Sequence, residues 1–216
     1  EGYHKLYREV DKNLDPLKMY LMALTDPLPW VVDRSAKTIL DLGCGQGKPM
    51  EMVKLRMKVS RSVGVDLFKP YIDYGKARII HDKYLIKDIR AVNFPEKSFD
   101  VVMASHVLEH MSEKDAWKVL ENMERMAKMQ VIIATPIGEH YHPAEDGNIW
   151  QLHKSFFTPE DFEKRGYKIK KYGWKWLLGD KGIVHKTNSD VLRKILYAVN
   201  IAATPIYYLF QPICDY

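Results

Sequence analysis

The residues with the clearest chemical potential read Ile39-Leu40-Asp41-Leu42-Gly43-Cys44-Gly45-Gln46-Gly47. An apolar strand candidate runs into three glycines at alternate positions, and a helix candidate follows. Glycines let a backbone turn sharply and approach a ligand with no Cβ in the way, and a helix start offers free N–H groups. A nucleotide P-loop needs four residues between its first glycine and a Gly-Lys pair followed by Ser or Thr. Here three residues separate Gly43 from Gly47-Lys48 and Pro49 follows, so that reading fails. A dinucleotide loop needs G-x-G-x-x-G. Lys48 stands where its third glycine or an alanine belongs, which weakens a nicotinamide or flavin reading without removing it. The spacing best suits a ligand with a carboxylate-and-amine end and a nucleoside end. Asp41, at the mouth of the first strand, is expected to receive an ammonium group. Asp66 closes the apolar run Val63-Gly64-Val65-Asp66, 66 − 41 = 25 positions later. A carboxylate there can accept both ribose hydroxyls and would repel a 2′-phosphate. Asp88, behind a third strand candidate, is placed to take an adenine amino group. Each acid alone reads as a solvated loop carboxylate or a helix cap. Their recurrence after successive strands, behind one glycine loop, favours a ligand site.

Histidines form the second chemical set. The stretch 136–155 carries His140, Tyr141, His142, Trp150 and His153 behind the fifth strand candidate. Ligands of open α/β sheets bind outside the carboxyl ends of the strands, so these are the substrate-side candidates. An unperturbed imidazole titrates near ~6.5, which suits a base taking a proton from a hydroxyl or amine. His153, beside Lys154, is the first candidate for a catalytic base or an anion contact, and His106 the second. Taken singly, each of these residues also reads as an ordinary loop side chain packing with Trp150. His106-x-x-Glu109-His110 further matches an inverted zinc-protease pattern. Zinc would need those side chains on one helical face and a third ligand at a workable distance. The segment starts directly at a strand end, so no metal is expected, and Glu109 and His110 are expected to cap and orient the loop.

The elements that must position these groups are legible from hydrophobic texture. Strand candidates are Thr38–Leu42, Ser62–Asp66, Tyr84–Lys87, Phe99–Ser105 and Val131–Thr135. Helical candidates around Pro49–Lys58, Pro70–Asp82 and Ser112–Met129 lie between them. Near-continuous apolar strands separated by helices mark a parallel sheet covered on both faces, hence a doubly wound α/β domain. Thr158-Pro159-Glu160-Asp161 reads as a helix start, Gly166 as its end, and Tyr167–Tyr172 as an alternating strand. Residues 174–187 could supply a last strand pair. The domain is expected over 36–190, with a helical lead-in over 1–35 and an apolar helical tail over 191–216.

Three segments together carry a family resemblance. Asp41–Gly47, Val63–Asp66 and Phe94-Pro95-Glu96-Lys97-Ser98-Phe99-Asp100-Val101-Val102 resemble the class I S-adenosylmethionine-dependent methyltransferases. Ser105-His106-Val107-Leu108-Glu109-His110 after the fourth strand is similar to the type 11 branch of that class. The resemblance covers roughly residues 35–173. It implies a seven-stranded sheet whose last strand is antiparallel, and S-adenosyl-L-methionine as cofactor, with S-adenosyl-L-homocysteine as product. It implies that Gly43, Gly45 and Gly47 line the methionine part of the cofactor, with Cys44 in the same loop, and that Asp66 holds the ribose beside Leu67. Asp88 and Ile89 would flank the adenine, and Ser105 and His106 would face the cofactor. The protein then mainly aligns nucleophile and methyl and excludes water, so the sequence identifies the cofactor better than the acceptor.

Composition bounds the partners. Lys+Arg 33 against Asp+Glu 28 gives +5 over 216 residues, only mildly basic. Nucleic acid and anionic membranes are permitted as partners but not demanded. Hydrophobic residues at 46% exclude a fully disordered chain. Two cysteines, Cys44 and Cys214, build neither a disulfide framework nor a zinc site, so a reducing, cytoplasmic setting is expected. The opening Glu1-Gly2-Tyr3 leads into no signal-peptide pattern. From Ile195 to Ile213 there are 213 − 195 + 1 = 19 positions without charge, interrupted by Asn200, Thr204, Pro205, Gln211 and Pro212. A helix over 191–213 packed on the domain or on a second copy is the plain reading, and a membrane-surface anchor helped by Arg193 and Lys194 is the alternative. Small-molecule or lipid methylation, on oxygen or carbon, is the leading expectation. RNA (tRNA) methylation is the first alternative, resting on Lys168, Lys170, Lys171, Lys175, Trp174 and Trp176. Lysines on a guarded edge strand explain the same residues without nucleic acid. A non-catalytic partner subunit on the same fold is the second alternative.

Overall fold

A computed structural model describes residues 28–138 and 147–170, together with Ser189, Val191, Leu192, Ile195 and Val199. The chain divides into two units, one of Leu28–Ile169 and one of residues 1–27 with 170–216. In the second unit Val191, Leu192, Ile195 and Val199 are helical and exposed, and Leu192 N donates to Ser189 Oγ at 3.3 Å. Among the described residues no helix is long and apolar enough to cross a membrane.

The first unit is built on five strands: β1 Thr38–Leu42, β2 Arg61–Asp66, β3 Lys83–Ile86, β4 Phe99–Ser105 and β5 Ala127–Ala134. Helices α1 Leu28–Val31, α2 Lys48–Arg56, α3 Lys69–Ala77, α4 Glu113–Met126 and α5 Pro159–Glu163 accompany them. The strand order is β3-β2-β1-β4-β5 and every pairing is parallel. That is the doubly wound α/β sheet expected from the sequence. The order reverses between β1 and β4, which places a ligand crevice at the carboxyl ends of those two strands.

Period-two alternation sorts the core onto both faces. Leu40 and Leu42 of β1, with Val102 and Ala104 of β4, pack under α4 against Val119, Leu120, Met123 and Met126. Ile39, Val101 and Met103 point the other way, onto Met50 and Val53 of α2 and onto Leu28, Val32 and Ile80. Burying this much apolar surface on both sides is what a parallel sheet needs. Local signals set the helix ends. Ser112 Oγ accepts from Asp115 N at 3.2 Å at the start of α4. Helix α5 starts at Thr158-Pro159 as the sequence predicts, and Thr158 and Asp161 form a reciprocal capping box there.

Three stretches depart from expectation by more than two residues. Strand β5 begins at Ala127, directly after α4 ends at Met126, where a helix to Met129 was expected. Lys128 and Met129 are exposed on this strand, so its first half lacks the apolar run that marks a buried strand. Helix α3 stops at Ala77 rather than Asp82, because Ile79 takes a left-handed φ of 55°. Residues 167–170 form no strand, and Tyr167 and Ile169 instead pack against the core under α4. The remaining strand candidates of the expected seven lie outside the described residues.

Candidate functional site

Strand β1 delivers the chain into the glycine loop at the crevice. Gly43, Gly45 and Gly47 have φ of 68°, 51° and 88°, the left-handed region that side chains resist. The loop is pinned from beneath, with Gly43 N and Cys44 N donating to Val65 O at 2.7 and 3.0 Å. A Cβ on Gly43 would strike Val107 Cγ2 at 2.4 Å, so that position is fixed by packing. A Cβ on Gly45 would meet only Tyr71 Cδ2, at 4.0 Å. Gly45 thus leaves open space in front of its backbone, the cradle that a ligand approaching the loop requires. Cys44 is buried, and burial followed by the charges of Asp41 and Asp66 pushes its thiol well up, so it stays protonated and inert.

The three acids are placed less simply than their spacing suggests. Asp41 shares the β1 face of Ile39, so alternation carries it inward, where it is 1% exposed. His81 Nε2 donates to its Oδ2 at 3.0 Å, and His81 is itself buried. Asp41 is therefore an interior hydrogen-bond partner of His81 and does not stand open at the strand mouth. His81, which precedes β3, is the residue that sequence reasoning missed. Asp66 ends β2 and accepts from Gly45 N and from Phe68 N, both at 2.8 Å. It locks the glycine loop to the second strand and keeps lone pairs for hydroxyl donors. Burial raises its pKa and Asp41 adds to that, while the hydrogen bonds from Phe68 and Gly45 oppose it, leaving a net upward shift. Asp88 caps the short turn Ile89–Ala91 and is held by Arg90, whose Nε donates to both oxygens at 3.0 Å. The Arg90 hydrogen bonds keep its carboxyl below the ordinary value. Ile89 is core and Leu67 is half-buried beside Asp66.

The histidines converge where β4 ends. Ser105 is its last residue, and His106 follows with a left-handed φ of 55° and a side chain 64% exposed. His106 Nδ1 lies 3.3 Å from Oε1 of Glu109, which is 2% exposed. Burial works to raise the Glu109 carboxyl, but the contact and charge of His106, the local backbone and His110 outweigh it, so the pKa is lowered. His153 sits against this cluster, its ring centroid 5.0 Å from that of His110. Both expected catalytic histidines, His153 and His106, therefore neighbour the Glu109–His110 pair. Trp150 is 44% exposed, with Lys154 Nζ 5.9 Å above its ring. Gln151 Nε2 donates to Tyr71 Oη at 3.0 Å, which ties the histidine segment to α3 across from Gly45. His140, Tyr141 and His142 lie outside the described residues.

This arrangement can hold a nucleoside-bearing ligand across β1 and β2 and present its far end to the histidines at β4. Such a site on a parallel sheet of this order is the arrangement expected of a class I S-adenosylmethionine-dependent methyltransferase. Residues 40–135 match the family model described as a methyltransferase domain, of the type 11 branch. The chain is 24% identical over 183 residues to 235L, a protein of Invertebrate iridescent virus 6 named as a methyltransferase, covering 74% of this chain and 68% of the viral one. It is 27% identical over 113 residues to the malonyl-[acyl-carrier protein] O-methyltransferase of Yersinia pestis, covering 52% of this chain and 41% of that enzyme. The chain thus spans less than half of the Yersinia enzyme. A SAM-dependent methyltransferase of Archaeoglobus fulgidus shares the fold at a TM-score of 0.53 and 21% identity, over 74% of this chain and 71% of its own. The protein is a methyltransferase enzyme, and S-adenosylmethionine is its methyl donor.

Proposed function

We propose that this enzyme methylates an oxygen or carbon atom of a small-molecule or lipid-type acceptor, with oxygen the better fit. The observation that carries this reading is the gathering of His106, Glu109, His110 and His153 at the carboxyl end of β4, beside the glycine loop. S-adenosylmethionine, when bound, supplies an electrophilic methyl group on a sulfonium, whose sulfur keeps the C–S electrons as the methyl leaves. The chain's own residues do the rest. Gly43, Cys44, Gly45 and Gly47 shape the floor for the methionine end. Asp66 beside Leu67 accepts the ribose hydroxyls, and Asp88 with Ile89 borders the base. Ser105 and His106 face the cofactor from the end of β4. His153, with His106 as second choice, takes the acceptor proton as the new bond forms. Trp150 borders the acceptor, and His140, Tyr141 and His142 belong to this proposal as substrate contacts only from their place in the sequence. Asp41 acts at one remove, through His81 and the strand beneath the loop. The Yersinia relative named as an O-methyltransferase lends support to oxygen as the acceptor atom.

The remaining expectations belong to this proposal. The enzyme works in the cytoplasm, and 191–213 meets a membrane surface or a second copy. Vesicle association unchanged by deleting residues 191–216 would refute the membrane contact. Methyl-labelled cofactor supplied with a cell extract, followed by separation of lipid, aqueous, RNA and protein fractions, tests the acceptor class. Label in the lipid or aqueous fraction is expected. Label confined to RNA would replace this reading with the RNA one, and no transfer despite cofactor binding would make the chain a partner subunit.

A further inference from the structure

We propose that Glu109, His110 and His153 form a site for one divalent first-row transition-metal ion, open on the acceptor side of β4. One donor atom from each residue lies within 4.8 Å of the other two. Glu109 and His110 come from the turn Leu108–His110 and His153 from a distant segment, so folding alone assembles the set. Backbone bonds hold the two segments in place: Lys154 N and Ser155 N donate to Glu109 O at 2.7 and 3.2 Å, and Ser155 Oγ donates to Leu108 O at 3.3 Å. Metal–ligand bonds of about 2.0–2.2 Å place tetrahedral donors roughly 3.4 Å apart, so the donors need to draw in by at most about 1.4 Å.

A second observation points to a cation. Glu109 Oε1 is buried and receives no hydrogen bond of good geometry among the described residues. Its neighbour His106 Nδ1, at 3.3 Å, is far for a charge-assisted bond, which favours about 2.7–2.9 Å. The other oxygen accepts from Thr135 Oγ1, also at 3.3 Å. A buried carboxylate oxygen held this loosely is costly unless a positive charge completes its shell. Two imidazoles and one carboxylate suit zinc, manganese, iron or cobalt; calcium and magnesium prefer all-oxygen shells. Three protein ligands leave a coordination position vacant, and His110 and His153 are only half-buried, so that position is reachable from solvent. This set differs from the zinc-protease pattern seen in the sequence: His106 is not among its donors, and His153 joins Glu109 and His110 from a distance that spacing could not reveal. Where the methyl-transfer reading holds, on which this part rests, the ion orients and polarises an acceptor oxygen, and His106 takes the proton in place of His153, which is then a ligand.

Chelator-treated, tag-free full-length protein titrated calorimetrically with Zn²⁺ and with Mn²⁺, and assayed for bound metal, tests the site. One ion per chain is expected, with affinity at least tenfold weaker in Glu109→Gln, His110→Ala and His153→Ala. The His153 variant guards against misfolding, since its ring lies at the open edge of the cluster. Binding weaker than millimolar, or equal in wild type and all three variants, overturns the site. S-adenosylmethionine is titrated into the same metal-free samples. Cofactor binding without any metal binding sinks only the metal site, whereas metal binding without cofactor binding sinks only the methyltransferase reading.

Discussion

Gly43 and Gly45 share a left-handed backbone but face different surroundings, and substitution separates packing from binding. A Cβ on Gly43 meets Val107 at 2.4 Å, so Gly43→Ala combines backbone strain with overpacking and is expected to cost about 3 kcal/mol of stability. A Cβ on Gly45 meets nothing closer than 4.0 Å, so Gly45→Ala costs only about 1–2 kcal/mol. Its methyl enters the cradle, however, and cofactor affinity by calorimetry should fall at least tenfold. Equal affinity in Gly45→Ala and wild type would place the ligand elsewhere. Asp66 adds a pH dependence with a definite sign. Its pKa is raised above the ordinary 3.8, so the folded state holds its proton more tightly than the unfolded chain does. Its contribution to stability is thus largest below 3.8 and is lost as pH rises through the higher folded value. Cofactor binding needs the carboxylate and runs the other way, strengthening as pH climbs through that window. In Asp66→Asn this rise should vanish. Glycines and acids were legible in the sequence because motif spacing reports them directly. The Asp41–His81 pair was not, since its partners lie 40 positions apart and meet only when β1 turns Asp41 inward. His81→Ala strands a buried carboxylate and should cost about 3 kcal/mol, more than Asp41→Asn, by denaturant melts.

Elements were legible in proportion to how strongly their pattern contrasted with their neighbours. Strands β1 and β4 matched their expected bounds, because buried parallel strands read as unbroken apolar runs. Strand β5 did not, because Lys128-Met129-Gln130 continues the polar texture of α4 and no turn residue divides them. Helix α5 lies at the other extreme. Its five residues are too few to be stable alone, so its cap and the packing of Phe162 must hold it. Phe162 is 6% exposed and its ring meets Phe157 at 5.5 Å and Trp117 at 5.4 Å. Thr158 Oγ1 and Thr158 N both donate to Asp161 Oδ2 at 2.8 Å. Thr158→Ala is expected to lower stability by about 1 kcal/mol and to raise hydrogen exchange in residues 159–163. No change in exchange there would mean that packing alone fixes the helix.

At the scale of the whole molecule, the order of motifs along the chain predicted the sheet and its ligand edge, because each strand end in turn carried one polar group. The convergence of His153 on Glu109, 153 − 109 = 44 positions away, was beyond reach, since no local pattern encodes which loop folds onto which strand end. The site spans β1, β2 and β4 within the unit Leu28–Ile169, so ligand binding should stabilise that unit as one body. A ligand that binds only the folded state, present at 100 times its dissociation constant, adds about 2.7 kcal/mol. For a unit of this size each kcal/mol moves the midpoint by about 2–4 °C, so the melting temperature should rise by about 5–11 °C. S-adenosylhomocysteine should act likewise, because it keeps the nucleoside and amino-acid ends that the loop and Asp66 hold, whereas methionine alone should shift the midpoint far less. Hydrogen exchange measured with and without the ligand locates the effect, and protection should rise at 41–47, 66–67, 88–89 and 105–106 together. A midpoint unmoved at saturating ligand, or protection confined to the glycine loop, would mean that these strand ends do not share one ligand.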